Sequence, residues 1–527
     1  MRGRRQWIVL LAGLLLGLAG AGGGARASSS IPSVPRYGVL EQSIGVRVAA
    51  EASPDRVSVD VRLVSPTRKS YAVGGFYEGP SSWKFRFAPS ELGRWHWQAR
   101  VRGGTLRGPS SGAFDVVRSA SPGFVRISPY NPLRWTFANG TPYYPIGLNE
   151  CTNVQNRRAE LWGLDGGFRV GPQHSPGRLV DIDTYMRAYS SAGFNLFRWG
   201  PDNCSFALYE RIDPAGNVYL ESGMAAADRL FKTLRRYGFR IEMVLFGSNP
   251  PFGSDSDPAK LAAVDRYVKY VVDRYGAYVD FWELTNEASP SDAWVTQVAG
   301  YLRQVDPYHH PVGTNWGRPQ LPVIQFGTDH WYQTEDASRS DAVAWSRLRR
   351  ESALSYRKPT LVDEQGNTGL NWDATSALRL RLRSWTAFFA ETGLVFWNTS
   401  FIKNCCPNGT SSVYIGPQER GYVRVLQRYT AGFDPRATIS AATVAPSGAA
   451  RAYALRGPLA YGLYLVAAGS RAAPLSGVTV TIRPERAGTA TWIDPATGRV
   501  LRQPKVRAGT RQLSVPPFTT DIALKVQ

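Results

Sequence analysis

Between residues 144 and 431 the chain alternates short apolar runs with longer amphipathic stretches, and few folds accept that rhythm. The runs are Tyr144–Gly147, Phe194–Trp199, Arg240–Phe246, Val279–Leu284, Pro311–Thr314, Ile324–Asp329, Thr360–Val362 and Leu394–Trp397. Helical periodicity falls between and after them, at Asp183–Ala192, Ala225–Tyr237, Pro258–Tyr275, Asp292–Val305, Ala342–Arg357, Ala377–Glu391 and Gln418–Ala431. Strands covered on both faces read as continuous apolar runs, and helical crossovers make neighbouring strands parallel. Eight such units over roughly 290 residues predict a (β/α)8 barrel, an α/β fold. The helix after the fifth strand is missing or very short. The rival is an open doubly wound sheet, but no glycine-rich phosphate loop follows the first strand.

The flanks have another texture. From Arg36 to Arg118, period-two alternation marks Gly45–Ala49, Val57–Leu63, Trp83–Phe87 and Trp95–Val101, separated by Gly, Pro and Ser turns. This predicts an immunoglobulin-like β-sandwich over 32–120, with Trp95 and Trp97 on one face as core. A hairpin, Leu133–Phe137 turning at Asn139-Gly140, leads into the barrel, so that domain is set at 121–435. Strands return over 436–527, with a turn at Trp492–Gly498, and predict a second β-sandwich.

Residues 1–27 read as a signal peptide: Arg2, Arg4 and Arg5 are the basic region, Trp7–Leu18 the apolar region, and Ala25-Arg26-Ala27 the cleavage site. Arg4-Arg5 followed by Gln6-Trp7-Ile8 resembles a twin-arginine export signal. The expected location is secreted, periplasmic or cell-envelope, with no membrane span. Export permits disulfides among Cys151, Cys204, Cys405 and Cys406, and four cysteines allow three connectivities. They lack metal-ligand spacing and the chain has only five His, so no metal site is expected. Net charge is +21, but the arginines are scattered singly, which fits the coding bias of a GC-rich source better than a nucleic-acid surface. An acidic polysaccharide is the other reading of that charge. The oligomeric state is not legible.

What carries chemistry sits at the strand ends. These positions are Asn149, Arg198 with Trp199, Asn286-Glu287, His330-Trp331-Tyr332, Glu364 and Trp397. Any one has an ordinary structural use, but their convergence on one barrel rim is hard to explain as packing. Glu287 and Glu364, 77 positions apart, would face each other there. A retaining glycosidase needs two carboxyls about 5 Å apart, one nucleophile and one acid/base. Asp363, next to Glu364, is the rival nucleophile.

Order, spacing and residue type together resemble the glycoside hydrolases of clan A, most nearly family 5. That clan carries an Arg after the second strand, Asn-Glu after the fourth, His-x-Tyr after the sixth, Glu after the seventh and Trp after the eighth. The resemblance implies Glu287 as acid/base and Glu364 as nucleophile. It also implies substrate binding by Asn149, Arg198, Asn286, His330, Tyr332 and Trp397, with no cofactor. By charge logic Glu287 is expected to be protonated at rest, its pKa raised by Glu364. The family often has a His near the third or fourth strand, and Leu245–Phe252 has none. The N-terminal sandwich resembles a domain of uncharacterised role found before such barrels. The reading is a secreted retaining hydrolase of O-glycosidic, chiefly β, bonds in poly- or oligosaccharides. Its alternative is a non-catalytic carbohydrate-binding protein on the same scaffold.

Overall fold

The computed structural model describes residues 31–48, 57–79, 82–149, 168–170, 178–180, 182–201, 205–255, 257–332, 335–366, 375–397, 415–469 and 472–527. Eight parallel strands form its centre: β1 (Ile146–Asn149), β2 (Leu196–Trp199), β3 (Arg240–Phe246), β4 (Phe281–Thr285), β5 (Val312–Gly313), β6 (Gly327–Trp331), β7 (Thr360–Gln365) and β8 (Thr392–Phe396). Their order is β5-β4-β3-β2-β1-β8-β7-β6, a nearly closed barrel. The remaining seam lies between β5 and β6. There Gln325 N donates to Val312 O at 2.7 Å, and Thr328 Oγ1 donates to Thr314 O at 2.8 Å.

Among the described residues seven α-helices connect or follow these strands: α1 (Ile182–Ser190), α2 (Glu221–Arg236), α3 (Pro258–Tyr275), α4 (Asp292–Val305), α5 (Ser340–Leu354), α6 (Ser376–Phe389) and α7 (Pro417–Thr430). No helix joins β5 to β6, as the sequence suggests. Local chemistry sets the boundaries. Asp257 caps α3 by accepting from Ala259 N at 2.8 Å, and Pro258 opens the helix where no N–H is needed. Gly238 follows α2 with φ +82°, a conformation that penalises any Cβ. Gly276 keeps right-handed geometry instead, and space is what requires glycine there: a Cβ would meet Val272 O at 2.7 Å.

One predicted strand is displaced. Ile324 and Phe326 are buried, yet they lie in a turn region where Ile324 N donates to Leu321 O, and pairing begins only at Gly327. Burial alone made that run look like a strand. Conversely β7 reaches Gln365, so Glu364 lies within the strand rather than beyond it.

The flanking regions are β-rich. In the N-terminal one, Ser70–Gly79 pairs with Ser58–Val64 along its first half and with Ser82–Phe87 along its second, tying all eight strands into one path. Trp95 and Trp97 are buried in its core. In the C-terminal one, a seven-stranded and a three-stranded sheet share a core that includes Leu463, Val480 and Trp492. Both bind the barrel through buried ions. Arg86 Nη1 reaches Asp228 of α2 at 2.7 Å, and Arg381 of α6 reaches Asp521 at 2.8 Å. No helix among the described residues is long and apolar enough to cross a membrane. The predicted signal, the four cysteines and the disulfide expectation lie outside the described residues.

Candidate active site

Parallel register fixes the height of each inward side chain. Asn149 of β1 stands level with Arg198 of β2, and Arg198 with Glu242 of β3. On the other wall His330 of β6 stands level with Glu364 of β7. Polar groups from five strands thus converge towards the C-terminal mouth of the barrel, where this fold places its chemistry.

Glu364 is buried and held by three donors. Asn149 Nδ2 and Arg198 Nη1 donate to its Oε1 at 2.9 and 2.8 Å, and the Tyr332 hydroxyl donates to Oε2. Burial and the Glu364 charge both push the Tyr332 phenol far above its usual range, so it remains a proton donor. Arg198 also forks onto Glu283, with Nε and Nη2 at 2.6 and 2.8 Å, and Nη2 reaches Asn286 Oδ1 at 2.8 Å. Burial alone would strip charge from this guanidinium, but Glu283, Asp363 and Glu364 raise its pKa well above normal. Because Asn286 Oδ1 accepts from Arg198, Nδ2 is the amide atom left to donate.

Glu287 leaves β4 through a left-handed backbone, φ +47°, which turns its side chain up to the rim. Its N–H donates to Asn315 Oδ1 at 3.0 Å, fixing that turn. The carboxylate is 42% exposed and Oε1 lies 2.9 Å from His330 Nδ1. One carboxylate oxygen of Glu287 and one of Glu364 lie within 4.8 Å of each other. The electrostatic expectation for Glu287 needs correction. Its pKa is lowered, first by the His330 hydrogen bond and further by the Arg198 charge, against the opposing effect of burial. The hydrogen bond from the imidazole outweighs burial, so Glu287 rests ionised.

The polar strand-end residues singled out in the sequence are at this rim, with Trp397 half-buried after β8, whereas Trp199 and Trp331 turn away into the packed core. Asp363 is not placed to attack a substrate: it is fully buried and points into the barrel behind the site. Sequence reasoning passed over four residues. Glu242 and Glu283 are buried under the rim, Asn315 orients Glu287, and Trp316 stands 44% exposed, edge-on to His330 at 5.4 Å. A lone carboxylate inside Arg240–Phe246 and another inside Phe281–Thr285 were the available signals, since an apolar strand buries a charge only for a partner. Behind the site, Arg347 pairs with Asp329 at 2.7 Å and Arg383 lies over the Trp331 ring at 4.2 Å, steadying β6.

Residues 33–102 match the family model described as a domain of unknown function, DUF5060. A rice protein (Oryza sativa subsp. japonica) named "Putative mannan endo-1,4-beta-mannosidase 9" is 32% identical over 133 residues, which is 18% of this chain and 31% of that protein. The chain therefore spans about a third of that relative's length. Mannan endo-1,4-beta-mannosidase 4 of tomato (Solanum lycopersicum) is 23% identical over 301 residues, covering 44% of this chain and 74% of that protein. A crystal structure from Bacteroides vulgatus ATCC 8482, described as a "putative glycoside hydrolase", superposes with TM-score 0.66 at 16% identity, covering 94% of this chain and 99% of that one. In fold and in sequence the chain is similar to the glycoside hydrolases of clan A, family 5 among them.

Proposed function

We propose that the chain is a retaining glycoside hydrolase with Glu364 as nucleophile and Glu287 as acid/base. The observation that carries this is the pair itself: two carboxylates on different strand ends with oxygens within 4.8 Å, one buried among donors and one exposed. That spacing suits direct attack on an anomeric carbon and leaves no room for the water an inverting enzyme places between its carboxyls. Asn149 and Arg198 both hold Oε1 of Glu364, so Oε2 attacks as the glycosidic bond breaks. Glu287 gives the departing oxygen a proton, then takes one from the water that hydrolyses the glycosyl ester. Asn286 Nδ2 donates to the sugar 2-hydroxyl, Trp397 floors the subsite under attack, and Trp316 offers a second apolar face at the rim. The two plant relatives put β-1,4-mannan first among substrates to try. In this reading the protein is exported after loss of residues 1–27, and β-sandwiches over 32–120 and 436–527 flank a catalytic domain over 121–435.

The test is hydrolysis of a panel of β-polysaccharides and aryl β-glycosides, with the product anomer followed by NMR. Retention on any substrate, abolished in Glu364→Ala, supports the proposal. Inversion, or equal rates in wild type and variant, sinks it, and binding without turnover returns the carbohydrate-binding alternative.

A further inference from the structure

Beneath the rim lies a group of acids that the double displacement does not use. Glu242, Glu283 and Asp363 are completely buried on β3, β4 and β7, with one carboxylate oxygen from each within 4.8 Å of the others. The groups facing Asp363 are Arg198 from β2, Glu242 from β3, Glu283 from β4, His330 from β6 and Glu364 from its own strand. Arg198 is already bonded to both oxygens of Glu283 and to Glu364. Neither oxygen of Glu242 has a hydrogen-bond partner, nor does Oδ2 of Asp363. One guanidinium facing four buried carboxyls leaves three charges unbalanced, and a buried unpaired carboxylate takes up a proton instead. Burial and the Glu283 charge push Glu242 up to about 8, and the same causes push Asp363 well above the carboxylate range.

His330 connects this reserve to the rim. Its Nδ1 meets Glu287 Oε1 at 2.9 Å, and its Nε2, buried and without a hydrogen-bond partner, lies 3.6 Å from Asp363 Oδ1. An acid that rests ionised must gain a proton before it can assist a leaving group, and this file of atoms offers a path for one. The transfer is uphill at rest, because Asp363 holds its proton more tightly than Glu287, and is drawn forward only as the leaving oxygen takes it. We propose that Asp363 is the proton reserve of the acid/base Glu287 and that His330 relays between them. The Asp363 O–H passes its proton to Nε2 while Nδ1 passes its own to Glu287 Oε1. Asp363 ends as a carboxylate, Glu287 as an acid, and the imidazole neutral in its other tautomer. The base step in deglycosylation returns a proton to Glu287, and the reverse relay restores the start. The 3.6 Å gap exceeds a hydrogen bond and closes as substrate covers the site, since catalytic contacts in empty sites are commonly loose. Asp363 is thus a positioning residue acting through His330.

This inference rests on the proposed glycosidase reading, and its test is arranged to fail separately. Asp363→Asn keeps the shape, removes the exchangeable acid proton, and lets the amide N–H2 hold His330 as the Nδ1–H tautomer, so Glu287 stays ionised. On aryl glycosides with poor leaving groups kcat should fall roughly 10²-fold, the usual worth of general acid catalysis. Dinitrophenyl glycosides, which need little acid, should lose far less, and the alkaline limb of kcat/KM on the poor substrates should move down by about one pH unit or more. Imidazole 15N NMR of the wild-type enzyme, with His330 assigned by its loss in His330→Gln, should show the Nδ1–H tautomer at rest. Bound iminosugar should shift it towards Nε2–H. Equal losses on both substrate types with an unmoved pH profile, or an Nε2–H tautomer at rest, overturn the relay. If the wild type hydrolyses neither, the glycosidase reading is what has failed.

Discussion

Arg198 divides one guanidinium among Glu283, Glu364 and Asn286, a geometry that only a planar fork with five N–H donors can satisfy. Arg198→Lys should therefore be far from conservative. It strands the buried Glu283, and urea denaturation should show a loss of about 3–5 kcal/mol together with near-complete loss of turnover. The two rim glutamates should separate by rescue chemistry. Glu364→Ala with azide should yield the glycosyl azide of inverted configuration. Glu287→Ala on an activated substrate should accumulate intermediate and yield the azide of retained configuration, and exchanged products would reverse their roles. Glu242 yields a prediction about stability. Its carboxyl pKa rises from 4.5 to about 8 on folding, so its contribution is complete below about 4.5 and is lost progressively as pH rises to about 8. Unfolding free energies at pH 5 and pH 8 should differ less in Glu242→Gln than in wild type, and an unchanged difference would mean that Glu242 is ionised in the folded protein.

At the scale of elements, the rhythm of apolar runs and helices was enough to anticipate the barrel, because strands covered on both sides cannot hide their composition. Helices α3 and α4 begin and end where Pro258, Tyr275, Asp292 and Val305 were read, since caps and breakers are local chemistry. The seam was less legible: β5 has two residues, and buried Ile324 and Phe326 imitate a strand without pairing. The rim residues could be found by position and type, whereas the resting charge of Glu287 could not. It depends on which of two neighbours, His330 or Glu364, lies nearer in space. Asn315 was missed because an amide between two strands has many uses, and only its bond to Glu287 N marks this one. Helix α4 opens just beyond Glu287, with Ser291 Oγ accepting from Trp294 N at 3.2 Å. Ser291→Ala should cost about 1 kcal/mol in thermal or urea denaturation. It should leave the pH profile of activity in place, because the cap holds the helix and not Glu287.

Over the whole molecule the basic balance has a structural use. Among the described residues Arg86, Arg198, Arg240, Arg274, Arg379, Arg381 and Arg383 are buried, where they cannot meet a polyanion. Activity should therefore change little between low and physiological salt, and a steep loss would indicate an acidic polysaccharide, whose attraction is screened beyond about 8–10 Å. Arg381 and Asp521 join the barrel to the C-terminal strands, with Tyr464 OH donating to Asp521 at 2.8 Å. Removing one partner, as in Asp521→Ala, should cost about 3–5 kcal/mol, because the other charge stays buried. Arg86 has a consequence for how the chain is made. It is 2% exposed; Glu41 of its own region pairs with it, but its other partners, Asp228 and the Arg274 carbonyl, follow it by 142 and 188 residues. On the ribosome the N-terminal strands emerge long before α2 and α3, so until those helices arrive Arg86 has only Glu41 and water to satisfy its guanidinium. A region synthesised before the barrel cannot be finished before it; its last face closes only when the barrel half-forms against it.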